Sequence, residues 1–369
     1  MISSGKGVGG AIQAQDLGVL KRHPSCGLLR RGRAQQGGVL LVVAVLLAVI
    51  TASVLVATLR DAIKRNRQTT QTVQQLASDK ALVLNALMIG VVGRPGLLMT
   101  PDRTFNGNTD QNCLQAGTAS GLPARNVWNG VAADPGVLCI GWLPWRDLQS
   151  GVAIDGNVIV QGLLTVIVIS GNLVDATGVP RLNSDAMLAT PPHKWLTVVD
   201  AKGGLVSNQV AIVLIRPGKP LGSQRRVVQP DGTPLTRPML ATYLDRLPGV
   251  ADHTDMSGRF TIAGEVTDST GQVIFNDQLV YVTAQEWMTL VLTRVAAEIR
   301  LAADLAYTTA YPTAMPPVGA AWFQANGWDG VTNYSATGDQ ITLRFARCGG
   351  TWTIQRQGSA GVVSHQGGC

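Results

Sequence analysis

Residues 39–89 contain no glycine and no proline, in a chain that holds 42 Gly and 18 Pro among its 369 residues. These two residues break helices most effectively, so their absence predicts one helix from about 39 to 89. At about 1.5 Å per residue that helix is roughly 75 Å long, more than twice the hydrocarbon core of a bilayer. Its first part, 39–59 (VLLVVAVLLAVITASVLVATL), carries no charge. About 20 such residues suffice to cross a membrane, and a secretory signal has a shorter apolar core. Residues 39–59 are therefore read as a membrane span. The second part is amphipathic, with Val73, Leu76, Ala77, Leu84, Leu87 and Met88 on one stripe. This predicts a helix that leaves the membrane and packs on a folded domain.

The formal charge of +7 points to nucleic acid only until it is located. Lys6, Lys21, Arg22, Arg30, Arg31 and Arg33 face Asp16 alone in the first 37 residues, so most of the excess belongs to a basic leader. General nucleic-acid binding loses its main support, and DNA is not expected as a partner. The three arginines at 30–33 favour a cytoplasmic N-terminus, while Arg60, Lys64, Arg65 and Arg67 on the other flank pull the opposite way. Cysteine usage favours export of the remainder. Cys113, Cys139, Cys348 and Cys369 form an even set after the span, which suggests two disulfides. The local pairing, 113–139 with 348–369, is one of three possibilities, and four buried free thiols are the alternative reading.

Beyond residue 89 the pattern is α+β. Residues 90–150 are rich in Gly, Pro, Asn and Asp and are read as mostly loop. Residues 158–160 and 163–170 are β-rich runs. Two more strands, 195–199 and 210–215, are joined by a turn over 200–204. Residues 217–258 are polar and turn-rich, followed by short strands at 273–275 and 279–282. Thr283 with Glu286 forms a capping box that opens a helix running to about Tyr307. Met288, Val291, Val295, Ile299, Ala302 and Ala306 share one face of it. The stretches 341–345 and 351–355 alternate as a hairpin in the C-terminal part, the second of them between Cys348 and Cys369.

The junction RRGRAQQGG followed by VLLVVAVLLAVI, with Gly37-Gly38 at its centre, resembles that of type IV pilin-like proteins, which include the pseudopilins of type II secretion systems. Two further stretches look like a subgroup of large pilin-like proteins. One runs from Gly93-Arg94-Pro95-Gly96 to Pro101-Asp102 and on to Gly141-Trp-Leu-Pro-Trp145; the other is Phe275-Asn-Asp277-Gln-Leu-Val-Tyr281-Val-Thr283, leading to Arg294-Val-Ala-Ala-Glu-Ile-Arg300. The resemblance implies cutting by a prepilin peptidase between Gly38 and Val39, with Gly37/Gly38 as second choice, and methylation of the new N-terminus. It also implies assembly with other pilin or pseudopilin subunits through the N-terminal helix. The glutamate usual at the fifth mature position is absent: Val43 stands there, or Val42 on the second choice. In the family that carboxylate is thought to neutralise the terminal amine of the subunit ahead, because a buried unpaired charge costs several kcal/mol. A chain lacking it is expected to be a poor repeating unit and a minor subunit, fit for the filament tip.

Other chemistry is thin. Gly5-Lys-Gly7-Val-Gly-Gly10 matches a dinucleotide fingerprint in letters, but no strand precedes it and no βαβ unit follows. His23, His193, His253 and His365 are isolated, and His253 between Asp252 and Asp255 is read as a solvated loop. Asp102, Asn106, Asn108, Asp110 and Asn112 place oxygen ligands around Gly107 and could wrap a weak Ca²⁺ site, with an Asn-rich turn as the competing reading. Arg216, Lys219, Arg225 and Arg226 cluster in a loop that is either simply solvated or a DNA contact. Trp142 and Trp145 are assigned to the core. No enzymatic activity and no other cofactor is expected. The chain is thus expected to comprise a leader at 1–38, a long helix at 39–89 that is first transmembrane and then amphipathic, and a β-rich pilin-like domain with an additional helix at 90–369. It is expected in the inner membrane as a single-pass protein, N-terminus cytoplasmic and C-terminal domain periplasmic, and in a filament after assembly. The alternative is an exported binding protein on an uncut signal anchor that joins no filament.

Overall fold

The computed structural model describes helix 35–89 and residues 96, 101–105, 127–128, 131–132, 138–148, 165–170, 173, 182–189, 195–222, 224–226, 235–255 and 257–369; in the helix, side chains are described at 45–56, 60 and 69–86. The chain divides into two units, Met1–Arg65 and Asn66–Cys369. Helix α1, Gln35–Ile89, contributes to both.

The second unit is α+β. A short ladder pairs β1 (Val127–Trp128) with β2 (Val131–Ala132). The main sheet then takes β3 (Leu138–Trp142), β4 (Val166–Ser170), β5 (Leu196–Val199) and β6 (Leu205–Arg216), with the one-turn helix α2 (Ser184–Met187) between β4 and β5. After the equally short α3 (Arg237–Leu240), β7 (Arg246–Leu247) pairs with β8 (Ala251–Asp252). Next, β9 (Arg259–Thr261) joins the main sheet beside β5 in parallel, and β10 (Val266–Thr267) pairs with β11 (Val273–Phe275). Then β12 (Gln278–Thr283) returns to β6 and leads straight into α4 (Ala284–Leu305). Short helices α5 (Ala321–Ala325) and α6 (Trp328–Val331) precede an antiparallel meander of β13 (Thr332–Thr337), β14 (Gln340–Phe345), β15 (Thr351–Gln357) and β16 (Ala360–Gln366).

Strand β6 organises the sheet. One edge pairs with β5 over its first half and β4 over its second; the other edge pairs with β12, from Gln278↔Arg216 to Thr283↔Val210. Side chains alternate between two cores, as the pleat requires. Ile167, Ile169, Ile212 and Leu214 point into a core shared with α1, α4 and the meander. Val166, Val168, Val213 and Ile215 point into a second core with Phe105, Trp142, Trp145 and Tyr243. Both faces being covered, these strands read as continuous aliphatic runs rather than as an alternation.

Several expectations meet the structure directly. The turn at 200–204 is closed by the Asp200 carboxylate, whose Oδ1 accepts from the backbone N–H groups of Lys202 and Gly204. Thr283 caps α4 by accepting from Glu286 N at 3.0 Å. Met288, Val291, Val295 and Ile299 are buried as the helical period requires, joined by Trp287, Leu292, Ala296 and Ala303, while Ala306 is exposed. The region 90–150 departs from its reading as loop, since Leu138–Trp142 is a fully buried strand. Five residues buried on both faces show no alternation, and Gly141 reads as a breaker. Here the glycine has another purpose. Asp102 N and Trp142 O, and Trp142 N and Asp102 O, bond at 2.9 and 2.7 Å, and a Cβ on Gly141 would sit 2.7 Å from Asp102 O. The predicted strand 158–160 lies outside the described residues.

The amphipathic stripe of α1 is also corrected. Leu76 and Val83 are buried and Leu84 is half-buried, but Val73 and Ala77 face solvent; the Leu87 and Met88 side chains lie outside the described residues. Polar residues share the buried face. Asp79 accepts from Thr165 Oγ1 at 2.6 Å and Gln75 Nε2 at 3.0 Å. Lys80 Nζ donates to Tyr281 O and pairs with Glu286, each at about 3 Å. A stripe defined by apolar residues alone misses these anchors.

The meander is fastened to α4 at both ends. Asp304 accepts from Tyr311 Oη at 2.8 Å and Gly361 N at 3.0 Å; burial, then this hydrogen bond, pushes the Tyr311 phenol up to about 12. At the other end Cys369 is disulfide-bonded to Cys348, and its N–H donates to Thr289 Oγ1.

Gly141→Ala should lower the unfolding free energy by about 1–3 kcal/mol, the usual cost of overpacking a close contact. Chemical denaturation of both proteins measures it, and an unchanged midpoint would show that the Asp102–Trp142 bridge can yield.

Candidate functional site

The expected functional junction and span lie on α1. Gly37, Gly38 and Val39 fall in its first turns, and their side-chain surroundings lie outside the described residues. Further along, Val45, Leu46, Leu47, Val49, Ile50, Val54, Leu55 and Val56 are all about half exposed or more. Consecutive positions in a helix point in different directions, so this surface is aliphatic around the whole circumference. The hydroxyls within it turn back onto the helix: Thr51 Oγ1 donates to Leu47 O and Ala48 O, and Ser53 Oγ to Val49 O. Among the described residues no helix is long and apolar enough to cross a membrane. The expected span 39–59 includes 39–44 and 57–59, whose side chains lie outside the description.

Of the four downstream cysteines, Cys348 and Cys369 are joined to each other, with Cα atoms 4.3 Å apart. Cys139 is buried and disulfide-bonded; Cys113 lies outside the described residues. In the proposed Ca²⁺ loop only Asp102 is described. It is fully buried, and its Oδ1 accepts from the backbone N–H of Thr104. Asn106, Asn108, Asp110 and Asn112 lie outside. Among the described residues no group of three or more His, Cys, Asp or Glu side chains could hold a metal ion.

His253 is corrected from a solvated loop residue to a fully buried one. Its partner is not Asp252 or Asp255, whose carboxylates cap their own turns at Thr254 and Ser257. Its Nδ1 lies 3.0 Å from Asp277 Oδ2, while Nε2 accepts from the backbone N–H of Thr261 at 2.9 Å. An amide can only donate, so Nε2 carries no proton and the Nδ1 proton goes to Asp277. Both nitrogens are engaged and the ring packs against Phe260 and Phe275. This arrangement ties β8, β9 and the chain before β12 together, and leaves no lone pair to act as a base. Sequence proximity pointed to the wrong carboxylates because the true partner is 24 residues away.

Asp277 Oδ2 also accepts from Asp245 N at 2.7 Å, which brings the two carboxylates close. Burial, then the neighbouring Asp277, raises the Asp245 carboxyl to about 6, against hydrogen bonds from Asn276 N and Gln224 Nε2. Arg226 lies in the field of both carboxylates, over the Tyr243 ring, and donates to Gly218 O. Arg216 is half-buried in the field of Asp79. The basic cluster of 216–226 is therefore divided: Arg216 and Arg226 are half-buried, while Lys219 and Arg225 are exposed. Trp142 and Trp145 are buried around Phe105 in edge-on contacts.

Comparison with family models, curated proteins and solved structures found no match.

Asp245 holds a proton more tightly folded than unfolded, so its contribution to stability is full below the ordinary carboxylate range and is lost as pH rises through about 6. Asp245→Asn should flatten that part of the pH dependence, narrowing the gap in melting temperature between pH 4.5 and pH 7. Equal gaps in the two proteins would contradict the assignment.

Proposed function

We propose that the chain is a minor pilin or pseudopilin, a structural subunit that primes or caps a type IV pilus or a type II secretion pseudopilus. In this reading a prepilin peptidase removes residues 1–38, and the mature chain is held in the inner membrane through 39–59. The N-terminus starts on the cytoplasmic side and the α+β domain is periplasmic. Its partners are other subunits of the same filament, contacted through α1, and the domain itself performs no catalysis.

The observation that carries the reading is the surface of α1 at 45–56. A helix aliphatic all the way round is unstable in water and needs either lipid or other apolar helices around it. The inward-bonded hydroxyls of Thr51 and Ser53 suit the same surroundings, where an unpaired polar group costs several kcal/mol. A filament subunit uses both, lipid before assembly and neighbouring helices after it. The disulfide of Cys348 and Cys369 accords with an oxidising compartment. Val43, standing where the family keeps a carboxylate, supports a position with no subunit ahead.

Two outcomes test this. Co-expressed with the other subunits of its filament system, the protein should be incorporated at very low stoichiometry; a filament made mainly of this chain would contradict a tip role. Val45→Asp should block membrane retention and assembly, since a charge inside a span is costly, up to about 2.5–3.5 kcal/mol at its centre on insertion scales. Normal extraction with the membrane fraction would contradict the reading.

A further inference from the structure

Strand β6 runs out into a segment, 217–226, that is held to the domain by polar contacts at the rim of a buried carboxyl pair. None of its described residues is buried, and Lys219, Pro220, Gly222 and Arg225 are exposed. The pair is Asp245 and Asp277, 3% and 0% exposed. Gln224 Nε2 donates to Asp245 Oδ1 at 3.1 Å and to Leu244 O at 3.3 Å, and Asn276 Nδ2 donates to Lys219 O at 2.9 Å. Arg226 closes the segment on itself by donating to Gly218 O. A segment attached in this way, without buried apolar side chains, opens at a lower free-energy cost than the strands it joins.

The carboxyl pair holds more negative charge than its surroundings answer. Asp277 Oδ2 accepts from Asp245 N and from His253 Nδ1, while Asp277 Oδ1 is buried without a hydrogen-bond partner. Arg226, half-buried, faces both carboxylates. His253 is neutral, because its Nε2 accepts from Thr261 N, and Tyr243 is kept neutral by burial. On the adjoining β7–β8 ladder Arg246 is exposed and Asp252 accepts from Thr254. Two carboxylates against one guanidinium leave one negative charge in excess, and such a charge is costly to keep out of water. One proton on the pair removes the excess; otherwise water must reach it.

We infer that segment 218–226 is a proton-controlled flap over the Asp245–Asp277 pair, shut while the pair holds one proton and opened to water when that proton leaves. In the shut state burial, then Asp277, outweighs the hydrogen bonds from Asn276 N and Gln224 and holds the Asp245 carboxyl at about 6. In the open state water returns it toward the ordinary carboxylate value of about 4. The advantage of the shut state is therefore full below that value and is lost as pH rises through about 6.

Hydrogen exchange read by mass spectrometry on the full chain in mild detergent, with rates corrected for the intrinsic effect of pH, tests the flap. Protection across 218–226 should fall about tenfold between pH 5 and pH 7.5 and should be insensitive to low urea, whereas the β6 amides at 212–215 should exchange only through urea-dependent unfolding. Asp245→Asn, uncharged at every pH, should remove the pH dependence. Gln224→Ala cuts the bond from the flap to Asp245 and leaves the pair in place, so it should lower protection of 218–226 at both pH values and spare 212–215. Four results would each overturn the flap: protection of 218–226 independent of pH in the native chain, a pH dependence that survives Asp245→Asn, unchanged protection in Gln224→Ala, or exchange of 218–226 that follows urea in step with 212–215. None of these outcomes depends on leader cleavage, so the filament reading and the flap can fail separately.

Discussion

The folded unit depends on the second half of β6, Val210–Arg216, being paired along both edges and, to Ile215, buried on both faces. Six consecutive aliphatic residues, Val210–Ile215, are each fully buried. At roughly 25 cal/mol per Å² of apolar surface removed from water, their burial contributes strongly to the stability of the unit. Everything else is placed by this strand. Strands β4 and β5 share one edge and β12 takes the other, and the direct passage from β12 into α4 lays that helix over the face that Ile212 and Leu214 present. The meander then packs on α4, and the disulfide fixes the last residue of the chain against it.

The same arrangement defines how α1 meets the domain. Its contact is part apolar, through Leu76 and Val83, and part polar, through Asp79 and Lys80. Buried polar contacts add directional requirements that apolar packing lacks, since a carboxylate left without its donors is costly. Asp79 bonded to Thr165, and Lys80 bonded to the end of β12 and the start of α4, allow one rotation of α1 on the sheet.

Much of this was legible in the residues themselves. The glycine- and proline-free stretch marked α1, the capping box located the start of α4, and Asp200 with Gly203 and Gly204 marked the hairpin. These signals are local, and local geometry enforces them. What could not be read was decided over distance. Leu138–Trp142 is a strand because Asp102 and β4 pair with it, and its five letters hold no period. His253 found its carboxylate 24 residues away at Asp277, while the adjacent aspartates capped their own turns. Arg216 and Arg226 looked like parts of one basic loop, yet both are half-buried, each in the field of different carboxylates. The leader junction lies outside the residues whose surroundings are described, so the structure adds nothing to what its sequence implies.

The decisive measurement is therefore the intact mass of the protein isolated from membranes of cells with and without a prepilin peptidase. The account predicts a mature chain that lacks residues 1–38 and carries one added methyl group when the peptidase is present, and a full-length chain when it is absent or when Gly38→Ala is introduced. A full-length chain in both kinds of cell would contradict the filament reading and identify α1 as a permanent anchor.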